Sequence, residues 1–121
     1  MNRLENIRHL ALDLDGTLYL GGRLFDFTLP FLDRIGRLGI GRTFFTNNSS
    51  RSTAEYVEKL NRLGFGVVER DLFTSTHCTF DYLREKHRDA RRVFVLGTPS
   101  LQSEFAGQGY VLSGETPDDE P

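Results

Sequence analysis

An α/β fold, a doubly wound parallel sheet covered by helices, is what this sequence predicts, and three observations carry the prediction. Short apolar runs of β type alternate along the chain with segments whose apolar residues recur at helical spacing. Glycine and capping residues punctuate the ends of those helical segments. Two of the apolar runs also end in polar residues, Asp13 and Asp15 in one case and Thr46 and Asn47 in the other. In open α/β sheets wound by right-handed crossovers, ligands bind beyond the carboxyl ends of the strands.

His9-Leu10-Ala11-Leu12-Asp13 reads as a short buried strand running into acidic residues. Tyr19 to Leu24 places Gly21-Gly22 between apolar flanks, a hairpin signal. From Thr28 the period changes to helical: Phe31, Leu32, Ile35 and Leu38 share a face, with Thr28 as cap, Pro30 in the first turn and Gly39 at the end. Arg42 to Thr46 is a second strand, leading into the turn- and cap-forming cluster Asn47-Asn48-Ser49-Ser50. Ala54, Val57, Leu60 and Leu63 form the apolar face of a second helix that Gly64 ends. Leu72 to Ser75 is a weak strand, followed by a helix from about Thr76 to Lys86 that buries Phe80 and Leu83. Val93 to Gly97 is a strong strand, Pro99 to Phe105 a short helix and Gly109 to Leu112 a last strand. The tail from Pro117 is polar.

Composition narrows the function classes. Of 121 residues, 38% are hydrophobic and 26% charged, proportions of an ordinary globular domain. A formal charge of -2 with interspersed signs argues against a nucleic-acid partner, which calls for a basic stripe. No run approaches a membrane span and no signal peptide opens the chain, so no membrane association and a cytoplasmic location are expected. Cys78 is the only cysteine, which fits a reducing compartment, and it reads as a small buried apolar residue. His9, His77 and His87 lack metal-ligand spacing. Gly36, Gly39 and Gly41 form no dinucleotide fingerprint.

Asp13 and Asp15, two residues apart past a strand, point into one mouth of the sheet if extended geometry persists. As turn acids they explain Asp15-Gly16 well. They explain Asp13 poorly, because an acid ending an apolar strand needs a partner or a cation. Thr46 to Ser50 open a helix, and a helix N-terminus with free N–H groups suits a phosphate dianion. Plain capping accounts for one or two of those residues. A carboxylate pair on one strand and an anion cradle on the next make a two-part site.

Leu12-Asp13-Leu14-Asp15-Gly16-Thr17-Leu18-Tyr19 resembles the first motif of the haloacid dehalogenase-like superfamily. Phe44 to Ser52 resembles its second motif in the wording of the NagD-like and p-nitrophenylphosphatase branch. Tyr56, Lys59-Leu60, Leu63-Gly64, Thr74-Ser75 and Val95 to Thr98 extend the resemblance from about residue 9 to about 118. It implies a Rossmann-like core and a phosphatase acting on a small phosphorylated metabolite. Asp13 would be the nucleophile that forms an aspartyl-phosphate, and Asp15 the general acid and base. Asp13, Leu14, Asp15, Thr46, Asn47 and Asn48 would contact the phosphate. Mg²⁺ would bind the Asp13 carboxylate and the Asp15 backbone carbonyl, since a carboxylate approaches a phosphate dianion only when the charge between them is neutralised.

The resemblance also implies two later motifs, a lysine and a Gly-Asp stretch that completes the magnesium shell. Lys59 and Lys86 read as solvated helix-surface lysines, and Asp118-Asp119 falls in a segment inside the cap of family members. The expected division is residues 1–80 for the early core and 81–121 for the opening of an inserted α/β cap. An open sheet edge invites pairing, so a homodimer through the cap portion or that edge is expected. Two other readings stand beside the phosphatase: a non-catalytic remnant that binds phosphate or a protein through the same fold, and a receiver-type signalling domain. The latter fits the Thr46-Asn47 cradle poorly.

Overall fold

The structure, a computed structural model, describes residues 5–114. Asp118-Asp119 and the polar tail lie outside the described residues. Strands β1 (His9–Asp13), β4 (Gly41–Thr46) and β5 (Leu72–Thr74) form a three-stranded sheet in the order β1-β4-β5. β2 (Tyr19–Leu20) and β3 (Arg23–Leu24) make the antiparallel hairpin, and β6 (Arg92–Val93) and β7 (Val111–Leu112) a separate parallel pair. Helices α1 (Thr28–Arg37), α2 (Thr53–Arg62), α3 (Ser75–Lys86) and α4 (Pro99–Gly107) alternate with the later strands. This is the predicted α/β class, with β1 and β4 parallel in the register Leu12↔Phe44, Asp13↔Phe45.

Contacts group the chain into two units, one of residues up to Thr46 with Val57–Phe73, the other of Asn47–Tyr56 with the residues from Thr74 onward. In the first, Leu14, Leu18, Tyr19, Leu32, Ile35, Phe44, Leu60 and Phe65 are buried. Phe65 sits edge-on to Tyr19 and 5.5 Å from Phe44, centroid to centroid. Arg42 lies over the Phe44 ring and donates to the Phe65 carbonyl at 3.0 Å. Asn61 closes the turn after α2 with two bonds, donating to the Val67 carbonyl and accepting from its N–H. The second unit is centred on Phe80, Phe105 and Tyr110, with Phe80 and Phe105 T-shaped at 4.7 Å.

Several expectations are corrected by the packing. β1 is not buried: among the described residues it occupies a sheet edge and pairs on one side only, and Leu10 and Leu12 are half-buried. Leu38 caps α1 from the solvent side and is exposed, while Leu32 and Ile35 carry the buried stripe. On α2 the buried face is Thr53, Tyr56 and Leu60, and Ala54 is exposed. The strong strand expected from Val93 to Gly97 is a ladder of two residues, because β7 supplies only two partners. Phe94 and Leu96 beyond it are 60% and 89% exposed. Cys78 is exposed, since α3 turns Thr76 and Phe80 inward and Cys78 lies on the other side of the helix.

Thr28 does not cap α1. Phe27 holds the cap position without a side-chain bond, and Thr28 is fully buried, its hydroxyl donating to the Leu18 carbonyl at 2.5 Å. That bond ties the first helix to the segment following Asp15. Thr28→Val keeps the shape and deletes the donor, so denaturant unfolding is expected to show a loss of about 1–2 kcal/mol.

Candidate active site

β1 ends at Asp13, and the chain turns at once. Gly16 adopts φ +80, a conformation that favours glycine. Its N–H donates to the Tyr19 carbonyl at 2.8 Å, and the N–H groups of Thr17 and Leu18 both donate to the Leu14 carbonyl at 3.0 Å. Leu14 is fully buried and anchors the turn, while Asp13 and Asp15 on either side of it are exposed. The two carboxylates therefore flank an apolar anchor at the carboxyl end of the strand, open to a ligand.

Thr17 completes this arrangement: its hydroxyl donates to Asp13 Oδ2 at 2.9 Å. Within the first motif Thr17 carries no task that its residue type alone assigns. The signal was its four-residue spacing from Asp13, which a tight turn closes. The bond occupies one carboxylate oxygen and orients the other.

The register brings Thr46 to the same end, one residue past the Asp13↔Phe45 pair. Side chains alternate along a strand. Phe45 is 39% exposed and Thr46 only 5%, so Thr46 reaches the same end of the sheet as Asp13 with its side chain buried.

In the second unit, Asn47 and Asn48 are exposed. The Asn48 side-chain oxygen accepts from the Ser50 N–H at 3.0 Å and from its hydroxyl at 2.5 Å, an Asx turn. The helix N-terminus expected to receive an anion is instead closed by protein carboxylates. Ser52 and Glu55 form a reciprocal capping box, with Ser52 N–H donating to Glu55 Oε2 at 3.1 Å and Glu55 N–H to Ser52 Oγ at 3.2 Å. Glu104 Oε1 accepts from both the N–H and the hydroxyl of Thr53, the latter at 2.6 Å. His77 joins this network. Its Nδ1 accepts from the Thr74 N–H, so in the neutral ring Nε2 carries the proton and donates to Thr53 Oγ1 at 3.1 Å. What remains on this segment for an anion is the loop before the helix.

Lys59 is less solvated than its helix pattern suggests, with Nζ 4.4 Å from the centroid of the buried Tyr19 ring. Lys86 stays at the surface beside Glu85. Among the described residues no three histidine, cysteine or acidic side chains cluster as a metal site. Asp13 and Asp15 supply hard oxygen donors of the kind Mg²⁺ takes one or two at a time, with water and phosphate filling the rest of its shell. Among the described residues no helix is long and apolar enough to cross a membrane.

Comparison with known proteins identifies the family. The haloacid dehalogenase-like hydrolase profile matches residues 10–111. The glycerol-3-phosphate phosphatase of Gallus gallus is 36% identical over 115 residues, 94% of this chain and 37% of that relative. The crystal structure of a 4-nitrophenylphosphatase from Thermotoga maritima superposes with a TM-score of 0.80 at 37% identity, covering 93% of this chain and 42% of that one. A glycerol phosphate phosphatase from Mycobacterium tuberculosis, solved in complex with magnesium, gives a TM-score of 0.73 at 29% identity over 88% of this chain and 32% of that one. The chain thus spans less than half the length of the proteins it matches. A profile match over most of its residues, around the Asp13–Asp15 turn and the β4 strand end, makes this chain a member of the haloacid dehalogenase-like hydrolase family.

Proposed function

We propose that this chain carries the nucleophile end of a magnesium-dependent phosphatase acting on a small phosphomonoester. The observation that supports it best is the pair of exposed carboxylates on either side of buried Leu14, with Thr17 bonded to Asp13. A carboxylate with one oxygen held and the other open supports a role in attack on phosphorus. In this reading Asp13 forms the new bond to phosphorus while the ester oxygen departs. Asp15 protonates that oxygen, then removes a proton from the water that cleaves the aspartyl-phosphate. Leu14, Thr46, Asn47 and Asn48 hold phosphate oxygens. Asp13 and the Asp15 backbone carbonyl would hold Mg²⁺, which would neutralise the charge between carboxylate and phosphate.

The phosphatase names of the relatives, and the magnesium in one of them, support the reaction and the ion. They also support a substrate class of small phosphorylated metabolites. We assign residues 1–80 to the core and 81–121 to the opening of a cap, in a cytoplasmic protein. The position of β1 at the sheet edge among the described residues supports association with a second copy.

The test is phosphate release by the full-length gene product from a panel of small phosphate esters, with Mg²⁺ and with EDTA. Chelation is expected to lower the rate by at least about a hundredfold, restored by added Mg²⁺. Equal turnover in EDTA would refute the metal-dependent mechanism. Phosphate binding without turnover on any ester would favour a non-catalytic module.

A further inference from the structure

The Asn47–Ser50 segment lies between β4 and α2, and its backbone carbonyls are held by hydroxyls from later in the chain. Thr98 Oγ1 donates to the Ser50 carbonyl at 2.9 Å. Ser75 Oγ reaches the Asn47 carbonyl at a longer 3.5 Å. A trans peptide is planar, so the N–H of the next residue points opposite to the C=O that precedes it. Holding the Asn47 carbonyl therefore sets the direction of the Asn48 N–H, and holding the Ser50 carbonyl sets that of Arg51. The Asx turn between Asn48 and Ser50 couples the two peptides. Thr98 is itself braced, because its hydroxyl oxygen also accepts from the Leu101 N–H at 3.3 Å as the cap of α4. One hydroxyl thus starts a helix with its lone pair and aims a loop with its proton. A plain cap needs only the first of these.

We infer that Thr98, assisted by Ser75, is a positioning residue for phosphate binding: it presents the loop amides to the anion without touching the anion. This rests on the phosphate-holding role proposed for Asn47 and Asn48, extended here to the Arg51 N–H that follows the Ser50 carbonyl. It gives a residue some fifty positions downstream a part in the site, through hydrogen bonds that lie within one structural unit.

The experiment is an NMR-monitored titration of the chain with inorganic phosphate in the presence of Mg²⁺, following the amide signals of Asn47 to Arg51. Affinities are measured well below each variant's melting temperature. Wild type is expected to show saturable shifts at these amides. Thr98→Ala is expected to weaken phosphate about fivefold, Thr98→Ser to restore it to within about twofold, and Ser75→Ala, which spares the α4 cap, to weaken it about twofold. A role confined to capping α4 would lower the melting temperature of Thr98→Ala and leave its affinity unchanged. Unchanged affinity in both alanine variants, or a serine variant as weak as alanine, overturns the inference alone. Absence of any shift in wild type removes the phosphate-holding role of the loop and the inference with it.

Discussion

Asp13→Asn is expected to lower kcat for phosphate release by at least about a thousandfold in the full-length gene product, with the fold intact. The amide matches the carboxylate in shape, and its oxygen can still accept the Thr17 hydroxyl, so the turn at Gly16 keeps its contacts. What is lost is the negative charge on the attacking atom, and an amide oxygen is a poor nucleophile toward phosphorus. Because Asp13 is exposed at a strand end, its replacement should change stability by no more than about 0.5 kcal/mol. Steady-state kinetics together with a denaturation curve check both halves. A variant that folds normally and retains most of its activity would assign the attack to another group.

Phe44→Ala has the largest effect expected on the fold. Phe44 is fully buried on β4, the central strand of the three-stranded sheet. It faces the Phe65 ring and lies under Arg42. Truncation removes the apolar contact and leaves a cavity that a short sheet closes poorly, a loss of about 3–5 kcal/mol. For a domain whose whole stability is about 5–15 kcal/mol, this leaves a substantial unfolded fraction at ordinary temperature. Urea unfolding followed by circular dichroism measures it, and a loss below 1 kcal/mol would mean the sheet does not depend on this side chain. Thr46 lies two residues along the same strand, so phosphate affinity should fall together with stability.

Much of this was legible in the residues. The hairpin, the strand into Asp13, the strand into Thr46 and helices α1 to α4 follow from periodicity and from Gly, Pro and hydroxyl punctuation, which are local signals. What was not legible depends on partners. Val93 to Leu96 has the composition of a strong strand, yet a strand extends only as far as its neighbour, and β7 offers two residues. Thr28 looked like a cap because a hydroxyl precedes an apolar stripe, but a buried carbonyl at Leu18 claimed it. Cys78 reads as buried from its residue type alone, whereas the face of α3 that turns inward carries Thr76 and Phe80.

At the candidate site the same division holds. Asp13, Leu14 and Asp15 could be picked out because acids interrupt an apolar run, and the turn that separates them is encoded by Gly16. The closure of the α2 N-terminus could be read only in part. Ser52 and Glu55 carry the spacing of a capping box, whereas Glu104 reaches Thr53 from 51 residues away and gives no local sign.

The most direct measurement is mass spectrometry of the tryptic peptide from His9 to Arg23 after acid quench of the working enzyme in its first turnovers. A phosphoryl group carried on residue 13, and absent when that residue is asparagine, is the predicted outcome. Rapid substrate turnover with this peptide always unmodified, or with the label on residue 15, would contradict the assignment of the nucleophile.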